Sequence, residues 1–246
     1  MKTVIFLISV GSFARLLLRS GVLDNVSKKA QVIIISPAAE DEDFVKEFTK
    51  EGVIIENQIT KHNLEATLFD KILYKIRNSK FVGSKKQRYL LWEKFENYIL
   101  TRKKFCDILK GFKADLVVTA SPGIVTTADL PYLRAARILE IPTCGVIQQW
   151  DNLSTKGLMP FRPTKLAVWN EASKKDAMEL QYYDFQDVEI CGVPHFDLYQ
   201  KAPFEDRDYF FKKIGFNPNK PLITFTTAPY KSVADHTYVL DILVNA

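Results

Sequence analysis

The feature that most constrains the fold is a regular alternation of short apolar runs with amphipathic segments. Seven runs have the length and composition of buried strands, namely residues 3–10, 31–36, 53–59, 114–120, 142–148, 165–169 and 187–192. Parallel neighbours require long crossover connections, which are usually helices and almost always right-handed. We therefore predict an α/β fold with a parallel sheet of about seven strands flanked by helices.

Composition narrows the class of protein. The chain has 246 residues, of which 47% are hydrophobic, enough for a substantial core. Its first apolar run, Val4 to Val10, is short for a signal peptide and is interpreted as the first strand. No run approaches the roughly 20 apolar residues that span a bilayer, so we expect a cytoplasmic protein whose membrane association, if any, is peripheral.

Cysteines, histidines and acids give no sign of a metal centre. The 3 cysteines are far apart in the sequence, which indicates neither a disulfide framework nor a zinc site. Histidines and acids do not cluster at ligand spacing. We therefore predict no metal and no cofactor.

The stretch from Cys144 to Lys156 carries the densest group of candidate site residues. It begins as an apolar strand and turns polar at Gln148, which marks the carboxyl end of a strand. Ligands of open α/β sheets bind at such ends. The candidates are Gln149, Trp150, Asp151, Asn152, Thr155 and Lys156. The alternative is that Asp151 and Asn152 form an ordinary tight turn.

Three other predicted strand ends supply further candidates. Gly11 and Ser12 follow the first strand, Ser121 and Gly123 precede a helix predicted over residues 126–140, and His195 follows the seventh strand. Exposed N–H groups at a helix start can bind an anion or a hydroxyl. The alternatives are a plain Ser-Pro-Gly turn and a histidine with a structural hydrogen bond.

A basic segment begins at Lys71 and ends at Lys113. It holds 13 Lys or Arg and 3 acids, a local charge of +10, whereas the whole chain carries +5 and the remainder therefore −5. Seven apolar residues recur at helical spacing and predict one amphipathic stripe, formed by Leu91, Phe95, Tyr98, Ile99, Phe105, Leu109 and Phe112. The segment suits an anionic membrane surface or a polyanionic substrate, and a solvated helix face is the alternative. No nucleic-acid motif accompanies the charge, so we expect no nucleic-acid partner.

Several motifs together resemble a known family. They are A-D-L-V-V-T-A-S-P-G, I-Q-Q-W-D-N-L-S-T-K-G, K-L-A-V-W-N-E and V-E-I-C-G-V-P-H-F-D, all between Ala114 and Leu198. This order resembles the Rossmann-like amino-terminal half of GT-B glycosyltransferases, with the nearer likeness to bacterial surface-carbohydrate and CDP-glycerol glycerophosphotransferase-like proteins. The resemblance implies an acceptor bound mainly by this half, a nucleotide-activated donor bound mainly by a second half, and the candidates from Gln149 to Lys156 beside the cleft.

The sequence departs from that family after about residue 200. We predict domains at residues 1–200, the acceptor half, and 201–246, a linker with the first βα unit of a donor-binding half. That unit consists of a short helix over 209–214, a strand over 221–227 that carries Thr227 in its ligand loop, and a helix over 232–245. A single βα unit buries too little surface to form a domain. We therefore expect a fragment, inactive on its own; the alternatives are that the missing half is another chain or that the last unit packs onto the first domain.

Three functions remain open from the sequence. The first is transfer of a sugar or glycerol phosphate from a nucleotide-activated donor to a lipid-linked or polymer acceptor at the bacterial cell envelope. Asp151 and His195 are then the candidate bases, and Lys156 the candidate charge stabiliser. The second is a noncatalytic acceptor-binding or membrane-docking subunit. The third, a nucleotide-sugar 2-epimerase-like enzyme, is disfavoured because the strand ending at Trp150 lacks the His-Val-Glu-Ala-Gly-type ending of those enzymes.

Overall fold

The structure is a computed structural model that describes residues 1–58, 68–120, 122, 128–200, 205–226, 235 and 237–245. The chain forms two compact units, Met1–Gln200 and Lys201–Ala246. Among the described helices, none has the length and apolar character needed to cross a membrane.

The first unit contains a seven-stranded parallel sheet, as predicted. Its strands are β1 (Lys2–Leu7), β2 (Ala30–Ile35), β3 (Val53–Glu56), β4 (Leu116–Thr119), β5 (Thr143–Val146), β6 (Lys165–Val168) and β7 (Val188–Ile190). They lie in the order β3-β2-β1-β4-β5-β6-β7, and each neighbouring pair is parallel. The direction of winding reverses between β1 and β4, which makes the carboxyl ends of these two strands the topological switch point.

Helices connect the strands and cover the sheet. They are α1 (Gly11–Phe13, continued by a π-helix over Ala14–Leu18), α2 (Val22–Ser27), α3 (Glu42–Phe48), α4 (Leu68–Arg77), α5 (Lys86–Ile99), α6 (Lys103–Gly111), α7 (Leu130–Ile138), α8 (Asn152–Thr155) and α9 (Glu171–Leu180). The predicted helix over 126–140 is thus confirmed as α7, whereas residues 126 and 127 lie outside the described residues.

Each face of the sheet packs against helices. Ile5 and Leu7 of β1 belong to a buried cluster with residues of α6 and α7, whereas Val4 and Phe6 belong to a second cluster with residues of α1 and α2. Because both faces are covered, the central strands β1 and β4 consist mostly of apolar residues.

The long helical segment differs from the prediction. The expected single stripe from Leu91 to Phe112 is divided between α5 and α6, with a break at residues 100–102. Its second half is confirmed, because Phe105 and Leu109 are buried. In its first half, Leu91, Phe95, Tyr98 and Ile99 do recur at helical spacing on α5, but they are exposed rather than packed against the core. The face of α5 that packs inward instead carries Tyr89, Glu93, Glu96 and Asn97.

Arginine side chains explain why α5 turns two carboxylates inward. Arg77 Nη1 of α4 donates to both Glu96 oxygens at 3.1 Å, and Arg134 Nη2 of α7 lies 3.6 Å from Glu96 Oε1. Arg137 Nη1 of α7 donates to Glu93 at 2.7 and 2.8 Å. A buried carboxylate needs such partners, since isolated burial of a charge is very costly. We call these five residues the buried ion cluster.

The same inward face of α5 also binds the backbone between α8 and β6. Tyr89 Oη donates to Met159 O at 2.9 Å, Asn97 Nδ2 donates to Pro160 O at 2.9 Å, and Arg162 N donates to Glu93 Oε1 at 2.9 Å. These bonds satisfy backbone groups that would otherwise be buried without partners. The polar face of α5 is therefore matched to a polar stretch of loop.

A buried carboxyl group lies at the switch point. Asp129, which precedes α7, accepts a hydrogen bond from Thr119 Oγ1 at the end of β4. Buried Ser9, just past β1, has its hydroxyl beside the same carboxyl group. Burial raises the pKa of the Asp129 carboxyl to about 7, although the hydroxyls of Thr119 and Ser9 oppose this rise.

The second unit contains two described helices, α10 (Arg207–Lys213) and α11 (Thr237–Val244). The Asp206 side chain caps α10 by accepting from the N–H groups of Asp208 and Tyr209. The predicted strand over 221–227 is not formed by residues 221–226, because no other strand is described in this unit with which they could pair. Thr227 lies outside the described residues.

We expect Glu96→Gln to destabilise the protein by about 3–5 kcal/mol, because it leaves Arg77 and Arg134 buried without their negative partner. The free energy of unfolding is measured by urea titration. Glu179→Gln, an exposed change on α9, is the control and should stay within about 0.5 kcal/mol of the parent. Equal effects of both substitutions on the free energy of unfolding would show that the ion pairs of Glu96 are not needed for stability.

We expect Asp129→Asn to change how stability depends on pH. Between pH 4 and 7 the folded protein keeps this carboxyl protonated while the unfolded chain ionises it, so stability falls as pH rises through that window. The loss amounts to roughly 4 kcal/mol above pH 7. Asp129→Asn should therefore be more stable than the parent at pH 8 and similar to it at pH 4. Asp107→Asn, exposed on α6, is the control. If the stability of Asp129→Asn depended on pH in the same way as the parent's, the raised pKa of Asp129 would be contradicted.

Candidate functional site

A cavity of about 160 Å³ lies at the carboxyl edge of the sheet. Its walls come from segments that follow four different strands, β1, β5, β6 and β7, and they are formed by Ser12, Arg15, Gln148, Gln149, Trp169 and His195. Convergence of strand ends is what a parallel sheet produces at this edge. Every one of these side chains carries a hydrogen-bonding group, and among the described residues that line the cavity none is acidic.

The loop after β5 is shaped by Asn152. Its Oδ1 accepts from the Gln149 N–H at 3.0 Å, and its own N–H donates to Gln149 O at 3.2 Å. Asn152 is buried, whereas Gln149 is exposed toward the cavity mouth. The tight-turn interpretation is therefore right about the backbone here, but the residue that makes the turn is Asn152.

Asp151 keeps its carboxylate outside that turn. It begins α8 without a side-chain bond to the helix N–H groups, and its Oδ2 accepts from Thr155 Oγ1 at 3.1 Å. Trp150 is 68% exposed and Lys156 is also exposed. The carboxylate of Asp151 is thus half-buried and positioned by a hydroxyl, with capacity left for a further donor.

Gln181 and Asn78 hold the far side of this loop in place. Gln181 Nε2 donates to Leu153 O at 2.7 Å and to Gly157 O at 2.9 Å, and its Oε1 accepts from Met159 N at 2.9 Å. Asn78 Oδ1 accepts from Leu158 N at 2.8 Å. Gly157 has φ of +74°, and a side chain there would collide with the Asn78 amide, so glycine is required.

His195 is set among aromatic rings just after β7. Its ring lies 6.2 Å from that of Trp169 and 4.6 Å from that of Phe196. Trp169 is itself fixed, because its Nε1 donates to Ile147 O at 2.8 Å. Burial and the nearby positive charge of Arg15 lower the pKa of His195, so the imidazole is neutral near pH 7.

The cavity includes three residues that the sequence did not single out. Arg15 lies one helical turn beyond Ser12, just after the first strand. This spacing could have indicated that Arg15 shares the site with Ser12. Gln148 and Trp169 each sit at the end of a predicted strand, where polar-capable side chains converge. No sequence signal places Arg15 near His195, because 180 positions separate them in the chain.

The structure brings together only some of the predicted site residues. Ser12, Gln149 and His195 line one cavity, and Gly11 is exposed beside Ser12 without a positive φ. Asp151, Thr155 and Lys156 belong to the adjoining loop but do not line that cavity. Ser121, Gly123 and Thr227 lie outside the described residues.

Comparisons with known proteins find similarity in solved structures. One is a glycosyltransferase from Rickettsia africae ESF-5, with 14% identity over 89% of this chain and 51% of that one and a TM-score of 0.46. Another is MurG from Acinetobacter baumannii, with 13% identity over 85% of this chain and 47% of that one and a TM-score of 0.44. The chain therefore spans about half the length of the structures it matches. No protein family and no curated protein matches it.

Proposed function

We propose that this chain is the acceptor-binding half of a glycosyltransferase-like enzyme. In this proposal residues 1–200 bind an acceptor hydroxyl compound, and residues 201–246 begin a half that binds a nucleotide-activated sugar or glycerol phosphate. The observation that carries the proposal is the cavity in which Ser12, Gln149 and His195, from the ends of β1, β5 and β7, converge. Neutral amides and hydroxyls suit an acceptor rich in hydroxyl groups.

The reaction requires a proton acceptor and a stabilised leaving group. The acceptor oxygen forms a bond to the donor's anomeric carbon or phosphorus, while the bond from that atom to the nucleotide phosphate breaks and its electron pair leaves with the phosphate. The hydroxyl proton passes to Asp151 or to His195. Lys156, exposed at the end of α8, is the proposed partner of the negative charge on the departing phosphate. No metal and no further cofactor enters this scheme.

His195 and Asp151 have different merits as the base. His195 lines the cavity and its lowered pKa keeps the imidazole in the form that accepts a proton. Asp151 lies outside the cavity, but Thr155 orients its carboxylate. These observations favour His195 for an acceptor in the cavity and Asp151 for one that lies along the loop.

The proposed partner at the cell envelope is an anionic membrane surface that presents the lipid-linked acceptor. Between Lys71 and Lys113 the structure buries Arg77, Glu93 and Glu96, which leaves 12 exposed basic residues and one exposed acid. Leu91 and Tyr98 of α5 are 70% and 71% exposed, and Phe69 and Ile72 of α4 are also exposed. Exposed apolar residues interspersed with Lys and Arg are typical of surfaces that bind anionic bilayers. The protein would then work as a peripheral protein on the cytoplasmic face of a bacterial membrane.

A second candidate function is a noncatalytic subunit that docks on the membrane and binds the acceptor. The same basic and apolar surface supports it, because docking requires no donor site. Titration of this chain with UDP-sugars and CDP-glycerol, alone and joined to a donor-binding half, separates the two functions. Transfer that never appears with any such half would favour the noncatalytic function.

We expect the base to be revealed by paired substitutions in an enzyme that carries both halves. If His195 is the base, His195→Gln lowers kcat about 100-fold or more with an unchanged melting temperature, and Asp151→Asn stays near the parent. If Asp151 is the base, the effects are reversed, and Thr155→Val should lower kcat modestly by freeing the carboxylate. Full activity in both His195→Gln and Asp151→Asn would reject the site. If Asp151→Asn has no effect and Asp151→Leu lowers only stability, the role of Asp151 is purely structural.

We expect the 246-residue chain to bind vesicles that contain anionic lipid and to be released by salt, because each Lys or Arg near such a surface contributes about 1 kcal/mol and is screened. Replacing Leu91 and Phe95 together by Asn should weaken binding at least tenfold without lowering stability, since both side chains are exposed. Leu180→Asn, exposed on α9, is the control. Equal binding to neutral and anionic vesicles would reject the electrostatic contribution to membrane binding. Unchanged binding of the double variant would reject the apolar contribution.

A further inference from the structure

The cavity at the carboxyl edge includes a positive charge, the Arg15 guanidinium, that no described carboxylate neutralises. Arg15 extends from the π-helix that follows β1 and lines the cavity beside Ser12. Within the described ranges of the chain it forms no ion pair, whereas Arg19, one turn further along, pairs with Glu47 through two hydrogen bonds of 2.6 and 2.7 Å. Arg15 is exposed at the cavity, where a guanidinium fork without a carboxylate beside it can bind an anion.

A second residue that lines the cavity, His195, has a ring nitrogen without a hydrogen-bond partner among the described residues. His195 Nδ1 is buried and has no hydrogen-bond partner among the described residues, although such atoms are usually paired. The ring cannot easily turn away, because Trp169 and Phe196 contact it and the indole N–H of Trp169 is already bonded to Ile147 O. Arg15 is close enough to act electrostatically on His195.

We propose that Arg15 and His195, with Ser12 and the Gln148 and Gln149 amides, bind one phosphate group in this cavity. The cavity's volume of about 160 Å³ suits a group of that size rather than a whole nucleotide. The guanidinium supplies two parallel N–H donors, and the hydroxyl and amides supply neutral donors around them. The proposal deepens the proposed function, because it assigns to this half the phosphate of a substrate. That phosphate belongs to the donor's leaving group or to a phosphorylated acceptor.

Binding of the phosphate changes the role of His195. Without a ligand, burial and the Arg15 charge keep the imidazole neutral, whereas a bound dianion compensates that charge and favours the protonated ring, which then donates to the phosphate. Among the described residues, Arg15 is the charged group that acts on His195, and the rings of Trp169 and Phe196 beside the imidazole carry no charge. A His195 that donates to phosphate in this way does not serve as the base at the same moment, which leaves that role to Asp151.

The test uses the 246-residue chain, with the imidazole of His195 followed by NMR as pH is varied. The probes are inorganic phosphate, UDP and the short-chain lipid dihexanoyl phosphatidic acid. Phosphate should raise the pKa of His195 by about one unit or more. Arg15→Gln should raise that pKa without any ligand and weaken phosphate binding at least tenfold, while Arg15→Lys, which keeps the charge but not the fork, should weaken it less.

Arg19→Gln is the matched control, because it removes an arginine from the end of the same helical segment, where Arg19 pairs with the exposed Glu47 and lies over the Phe48 ring. It should change neither the titration of His195 nor phosphate binding. Arg15-dependent binding that is tighter for UDP assigns the cavity to the donor, and tighter binding of the phosphatidic acid assigns it to the acceptor. Absence of Arg15-dependent binding by all three probes would overturn the proposal. Because no transfer is measured, that failure is distinct from failure of the proposed enzyme activity.

Discussion

The pairing of two buried carboxylates on α5 with arginines of α4 and α7 determines the arrangement around the site. Glu93 and Glu96 face inward because they form ion pairs there, Glu96 with Arg77 and Arg134 and Glu93 with Arg137. Buried ion pairs add little net stability compared with apolar packing, but breaking one is costly, so they fix orientation more than they strengthen the fold. With α5 held in this rotation, Tyr89 and Asn97 reach the backbone of the segment that leads from α8 to β6. The site loop is therefore supported from below by a helix that is itself positioned by charge.

The site has two parts with different chemistry. One is a cavity with amides, a hydroxyl, an imidazole and a guanidinium that forms no ion pair with the described residues, and it lies where β1, β5, β6 and β7 end. The other is the loop that carries Asp151 and Lys156. Asn152 joins them, because its side chain is bonded to Gln149 at the cavity mouth while Asp151 begins the adjacent helix. A substrate that spans both parts would place its anionic group and its reacting hydroxyl in separate environments.

The sheet could be predicted from sequence because it depends on local patterns. A strand such as β2 is a run of β-branched residues bounded by polar ones, and parallel pairing follows from the helical connections. The polar switch at Gln148 similarly identified the loop after β5. The rotation of α5 could not be predicted, since its apolar residues recur at regular helical spacing. The arginines that reverse it come from other helices, Arg77 of α4 at 19 positions from Glu96 and Arg137 of α7 at 44 positions from Glu93. The proximity of Arg15 to His195 could not be predicted either, because it depends on the assembly of the whole sheet between β1 and β7. Residues 221–226 form no strand for a related reason, since a strand requires a neighbour as well as a suitable composition and none is described in that unit.

A helix that buries its acids and exposes several of its apolar residues reverses the usual interpretation of sequence variation. On most helices a change from leucine to a polar residue signals damage to the core, and a change from glutamate to glutamine is silent. On α5 the opposite holds, because Leu91 is exposed and Glu96 is 1% exposed. Among related chains, acids conserved within this helix together with freely exchanging hydrophobic residues would therefore mark the same inverted packing, and scores based on hydropathy alone would rank its variants in the wrong order.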